Sequence, residues 1–234
     1  MEKLIVLKEQ EEEEDFGDKL GLFENEQYEL VLVHLENFKK YLKRDLNIKS
    51  TDIIASSIVL RDSDNQCLNA KQVAFIAASP KFKGAGSIIQ AIASQYYGTD
   101  LTSDRKSGSS SGAKAAWKKI EQGAAGWSKT GVLDNYYGNK QYWLQTDKNN
   151  NFFWSTGPMT PDPKDDCPIP PNPNKLGTLD AYRYTGSTNT QEYLNSANEF
   201  MKFAKEKMQM SISDVFSKLK DLGEDLWSKV YKAD

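Results

Sequence analysis

The stretch that most restricts the fold runs from Val73 to Tyr97. It opens with an apolar run, Val73-Ala-Phe-Ile-Ala-Ala78, and turns through Ser79-Pro80-Lys-Phe-Lys-Gly-Ala-Gly86. It closes with Ile88, Ile89, Ile92 and Tyr96 at helical spacing. The reading is strand, glycine loop, helix. A helix start exposes unpaired backbone N–H groups and the positive end of the macrodipole. Gly84 and Gly86 allow a tight turn and close approach of a ligand, and Lys81 and Lys83 add positive charge. Such a loop suits a phosphate or pyrophosphate. It is not a P-loop, because no Gly-Lys-Ser/Thr follows at the required spacing, and it is not a dinucleotide fingerprint. A Gly-x-Gly before a helix also serves simply to pack helix on strand, so the residues alone leave both readings open.

The flanking sequence sets this unit in a mixed chain. Leu4–Leu7 reads as a short strand, and Gly17–Gly21 as loop. Tyr28–Val33 is apolar and β-branched, and the spacing of Leu35, Phe38, Leu42 and Leu46 predicts a helix over 33–45. Ile53–Leu60 and Gln72–Ala78 read as an antiparallel pair across the turn formers of 61–66. Asp100–Thr102 reads as a short strand. Ala113–Ile120 reads as a helix with Ala116, Trp117 and Ile120 inward, and Tyr142–Gln145 with Phe152–Ser155 as a hairpin. Residues 157–173 carry seven prolines, which exclude regular helix or central strand. Tyr193, Ala197, Phe200 and Ala204 share one helical face. Val215, Leu219, Leu222, Leu226 and Val230 share another, with Ser213 as the expected N-cap.

Charge and rare residues exclude several classes. The 234 residues carry a net charge of −3. Residues 1–26 hold ten acids and three bases, so Glu9–Asp15 reads as a solvated run or a docking arm. Nothing is basic enough for a nucleic-acid scaffold. One histidine, His34, and two cysteines, Cys67 and Cys167, exclude a disulfide framework and a zinc site needing several such ligands. They also argue against a Ser–His–Asp or Cys–His enzyme, and His34 reads as structural. No apolar run approaches the roughly 20 residues that span a bilayer. No signal peptide is read at the start, so the expected place is the cytoplasm, with no membrane partner.

Lys81-Phe-Lys-Gly-Ala-Gly86 resembles the Gln/Arg-x-x-Gly-x-Gly/Ala loop of the GNAT superfamily of acyl-CoA N-acyltransferases, with Lys81 at the first position. Leu101-Thr-Ser-Asp-Arg105 followed by Ala113-Lys-Ala-Ala-Trp117, and later Asp165-Asp166-Cys167, is similar to the pattern of GNAT-like proteins encoded by bacteriophages. The resemblance covers roughly residues 50–185. It implies an α+β fold, a mostly antiparallel sheet flanked by helices. It divides the chain into an acidic arm (1–26), an acyl-CoA-binding domain (27–157), a Pro-rich loop (158–189) and a C-terminal helical extension (190–234).

The resemblance also implies direct transfer from acetyl-CoA to an amine of a protein or small molecule. Ala77 and Ala78 would pair with the pantetheine arm. Lys81, Lys83, Gly84, Ala85, Gly86 and Ser87 would hold the cofactor at its pyrophosphate. The family's tyrosine acid is missing from the helix at 113–120. Tyr96 and Tyr97 read as core or surface, which leaves Asp104 and Arg105 as polar candidates for catalysis or for a structural ion pair. The alternative is a GNAT-like binding or structural protein without catalysis, acting through its C-terminal helices. Phe200, Phe216, Leu219, Leu226 and Trp227 are too apolar to leave in water, so the helices must pack on the domain, on a second copy or on another partner, and an oligomer or partner interface through residues 190–232 is the favoured expectation.

Overall fold

A computed structural model describes residues 14–25, 29–44, 47–62, 70–103, 110–131, 143–146, 152–155 and 180–231. The expected strand Leu4–Leu7, the Pro-rich stretch, both cysteines, Asp165 and Asp166 lie outside them.

Strand β2 (Glu29–His34) shows why the sheet is covered on both faces. Its core reads Leu-Val-Leu-Val. Leu30 and Leu32 enter one apolar cluster, while Val31 and Val33 enter the other. A strand apolar on both sides must lie inside a sheet with a layer against each face. β1 (Leu20–Asn25) does the same with Leu22 and Phe23.

The remaining strands are β3 (Ile54–Asp62), β4 (Ala70–Ala78), β5 (Asp100–Ser103), β6 (Trp127–Gly131), β7 (Trp143–Thr146), β8 (Phe152–Ser155) and β9 (Ala181–Tyr184). Seven form one sheet in the order β1-β2-β3-β4-β5-β9-β6. Every neighbouring pair is antiparallel except β4 and β5. The expected hairpin forms as a separate pair, β7 with β8. The α+β expectation, a mostly antiparallel sheet flanked by helices, therefore holds.

Helices α1 (Leu35–Leu42), α5 (Thr190–Lys207) and α6 (Ile212–Tyr231) supply one cluster, around Phe38, Phe200 and Leu226. Helices α3 (Ala85–Tyr96) and α4 (Ser111–Glu121) supply the other, around Ile89, Ile92, Trp117 and Ile120. The four-residue α2 (Ser50–Ile53) leads into β3.

Several expectations need correction. Gly17–Gly21 is not all loop, since β1 begins at Leu20. Gly21 lies inside the strand where α5 crosses: a Cβ there would sit 2.7 Å from Leu35 Cδ2 and 3.3 Å from the Ala197 backbone. The helix expected over 33–45 starts at Leu35, because Val33 and His34 complete β2. His34 caps it, its Nδ1 accepting from Asn37 N–H at 3.3 Å. The cap of α6 is Ser211 rather than Ser213: Ser211 Oγ accepts from Asp214 N–H, and the Asp214 carboxylate accepts from Ser211 N–H.

The C-terminal helices take the first of the expected alternatives and pack on the domain itself. Phe200, Val215, Leu219, Leu222 and Leu226 are buried against the chain's own sheet and α1. Trp227 donates to Ser57 Oγ at 2.7 Å and stacks on Phe75. The side chains that argued for an oligomer or partner interface through 190–232 are used inside the fold. Ile212 stays exposed.

Phe200→Ala should destabilise the protein by about 3–5 kcal/mol, read from urea unfolding midpoints. Deleting 190–234 should abolish the cooperative melt. A truncated chain that melts like the full one would mean the helices are an appendage.

Candidate functional site

The loop after β4 is held by short local bonds. Ser79 N–H donates to Ala55 O (2.9 Å), and Ser79 Oγ donates to Thr51 O (2.6 Å) and accepts from Lys81 N–H (3.2 Å). Phe82 N–H returns to Ser79 O, and Ala85 N–H to Phe82 O, both at 3.1 Å. Phe82 packs against the ring of His34 at 5.9 Å. The chain then turns through Gly84, which has φ +83° and ψ −8° as the N-cap of α3. That left-handed backbone disfavours every residue with a Cβ.

The two glycines serve different needs. Gly84 faces open space: a Cβ there would meet nothing within 4 Å. Gly86 lies on the end of β4, where a Cβ would touch Ala78 Cβ at an ordinary 3.4 Å. Packing alone therefore does not demand a glycine at 86.

The helix start keeps donors in reserve. Ser87 and Ile88 N–H both turn back to Gly84 O at 3.0 Å. Among the described residues, the N–H groups of Lys83, Gly84 and Gly86 have no backbone acceptor. They lie at the positive end of a 12-residue helix. Lys83 and Ser87 are exposed beside them, and Ala85 is buried.

Lys81 has a partner of its own. Its Nζ pairs with Asp52 Oδ1 on α2, although the lysine side chain stays half exposed. The hydrogen bond from Lys81 is the main reason the Asp52 carboxyl is held below its ordinary value of 3.8, with Lys49 N–H (3.0 Å) adding to it. Neither Asp52 nor Ser79 was singled out from the sequence. Their partners lie 29 and 28 residues away, and no local pattern signals such a contact.

Ala77 and Ala78 end β4, across from Ser57 and Ser56 of β3. On the other side the β4–β5 ladder spans only Ala70–Val73 against Asp100–Ser103. The two alanines therefore lie beyond the parallel pairing, next to the loop. Asp104 and Arg105 follow β5 directly and lie outside the described residues.

Tyr96 and Tyr97 sit at the other end of α3. Tyr96 lies eleven positions after Ala85, about 16 Å along the helix. Both hydroxyls donate to Glu24, at 2.6 and 3.0 Å, and that bond raises the Tyr96 hydroxyl above its ordinary value. Trp117 is core, packed near Tyr182. No group of His, Cys, Asp or Glu among the described residues could hold a metal, and none of their helices is long and apolar enough to cross a membrane.

Comparison with models of known families, with characterised proteins and with solved structures finds no match to this chain.

Asp52 allows a pH test. Its carboxyl is lowered on folding, so its contribution is present above 3.8 and is lost as pH falls through the lowered folded value. Asp52→Asn should be less stable than the parent at neutral pH. That gap should close on acidification from roughly pH 5 to pH 2, followed by urea midpoints. A gap that does not change with pH would remove the ion pair as its cause.

Proposed function

We propose that the chain is a GNAT-type N-acyltransferase that uses acetyl-CoA to acylate an amine of a protein or small molecule. The observation that carries this reading is the junction of β4 and α3. A left-handed Gly84 opens onto free space, and the N–H groups of Lys83, Gly84 and Gly86 stand unclaimed by backbone acceptors at the helix start. The parallel pairing of β4 with β5 stops at Val73, short of that junction. The end of β4 is therefore left beside a helix terminus of the kind that suits an anion.

Acetyl-CoA would supply an activated thioester acyl group and a diphosphate handle. The amides of 83–87 would bind the diphosphate, and Lys83 would add charge. The edge of β4 at Ala77–Ala78 would pair with the pantetheine amides, and a backbone N–H there would polarise the thioester carbonyl. As the acceptor nitrogen bonds to the carbonyl carbon, the carbon–sulfur bond breaks. The amine proton would pass to a side chain or water, and the sulfur would leave as a thiolate that takes a proton from water. Asp104, with Arg105 beside it, is the residue proposed to take that proton.

Millimolar acetyl-CoA should raise the melting temperature, since a ligand that binds only the folded state stabilises it. No shift would sink the acyltransferase reading. Gly84→Val should abolish the shift, because a β-branched residue cannot hold the left-handed turn without strain. Asp104→Asn should lower turnover by about a hundredfold or more while the shift persists, measured as release of free thiol with a panel of amines. A binding or structural role without catalysis would give the shift and no thiol from any amine.

A further inference from the structure

The short helix α2 ties the loop to the C-terminal helix. Three consecutive residues do this. Ser50, buried, accepts from Lys229 Nζ of α6 at 3.2 Å. Thr51 lends its carbonyl to Ser79 Oγ at 2.6 Å. Asp52 holds Lys81. On the α6 side, Lys229 is also paired with Asp225. The backbone of the loop is thus fixed by Ser79 and Thr51, whatever Lys81 does. The lysine's charge is a separate matter, and a carboxylate holds it.

We infer that Asp52 is a latch on Lys81, holding back from the loop the second of its two lysine charges until a diphosphate displaces the carboxylate. The inference rests on the reading of the loop as a diphosphate site. Geometry supplies the reason. Lys83 is exposed at the unclaimed N–H groups, whereas Lys81 is turned to Asp52 on the neighbouring element. The pair is open to water on the lysine side, with the Lys81 side chain 56% exposed and that of Asp52 22%. Exposed pairs of this kind are weak, so a ligand with two or more negative charges can compete for the lysine. Asp52 keeps a second tie when it lets go, because its other oxygen accepts from Lys49 N–H at 3.0 Å. The carboxylate is therefore held in place while the flexible lysine moves. Asp52 acts through Lys81 and is a positioning residue, not a catalytic one.

The test is a double-mutant cycle on the full chain, with Asp52→Asn, Lys81→Met and both together. Inorganic pyrophosphate and acetyl-CoA serve as probes, and dissociation constants come from calorimetry. Asparagine keeps the bond to Lys49 N–H and removes the charge. Asp52→Asn should tighten binding of both probes by about threefold, the scale of one exposed ion pair. Lys81→Met should weaken binding, and adding Asp52→Asn to it should change nothing. That loss of additivity is what a merely structural role for Asp52 would not produce.

Equal or weaker binding by Asp52→Asn overturns the latch, and a melting shift with acetyl-CoA would then leave the acyltransferase reading standing. Tighter pyrophosphate binding by Asp52→Asn with no binding of acetyl-CoA to any variant supports the latch and overturns the acyltransferase. No binding of either probe to any variant overturns both.

Discussion

The packing of Phe200 is the contact on which most of the structure depends. Its ring lies 5.2 Å from Phe16, 5.2 Å from Phe38, 6.4 Å from Phe23 and 6.2 Å from Phe203. Those residues come from the segment before β1, from α1, from β1 and from α5 itself. One side chain of α5 thereby gathers the elements packed on that face of the sheet. Gly21 is its counterpart on the strand, because any side chain there would hold α5 off the sheet. Lys39 adds a polar tie beneath Phe16. Its buried ammonium meets Glu36 at 2.8 Å and donates to Glu14 O at 2.7 Å. Glu36 in turn accepts from Phe16 N–H. Burying two charges is costly unless they are paired and otherwise bonded, and these are.

That packing bears on the candidate site. With α5 and α6 on one face and α3 and α4 on the other, β3 and β4 are central strands. The end of β4 is thus a rigid platform for the loop at 79–84. The loop owes its shape to short bonds from Ser79 and to the left-handed Gly84. Its electrostatics owe as much to α2, a helix too short to stand out in any sequence pattern. α2 pairs one of the loop's lysines with a carboxylate, while Ser50 joins α2 to α6.

Much of the centre was legible before any coordinates. β3, β4, α3 and α4 fall close to where the apolar periods change, because each has a single period long enough to read. β6 and β9 were not read. Trp127-Ser-Lys-Thr-Gly and Ala181-Tyr-Arg-Tyr are four or five residues long and lack an alternating pattern. They are strands because each offers the other an antiparallel ladder, which a single segment does not reveal. β1 was hidden by its glycine, which in sequence looks like a turn and in space makes room for a helix.

The sequence by itself determined the strand, glycine loop and helix around Gly84, the mixed character of the fold, and the amphipathic stripes of α5 and α6. Those follow from local periodicity and from the backbone freedom of glycine, which depend on neighbours in the chain. Tertiary structure alone decided where the stripes go and what the loop's charges do. Phe200, Leu219 and Leu226 looked like a surface awaiting a partner, yet they fill the core, because an apolar face records only that it must be covered. Lys81 looked like a ligand for an anion and lies against Asp52, because an ion pair forms with whichever opposite charge the fold brings within reach.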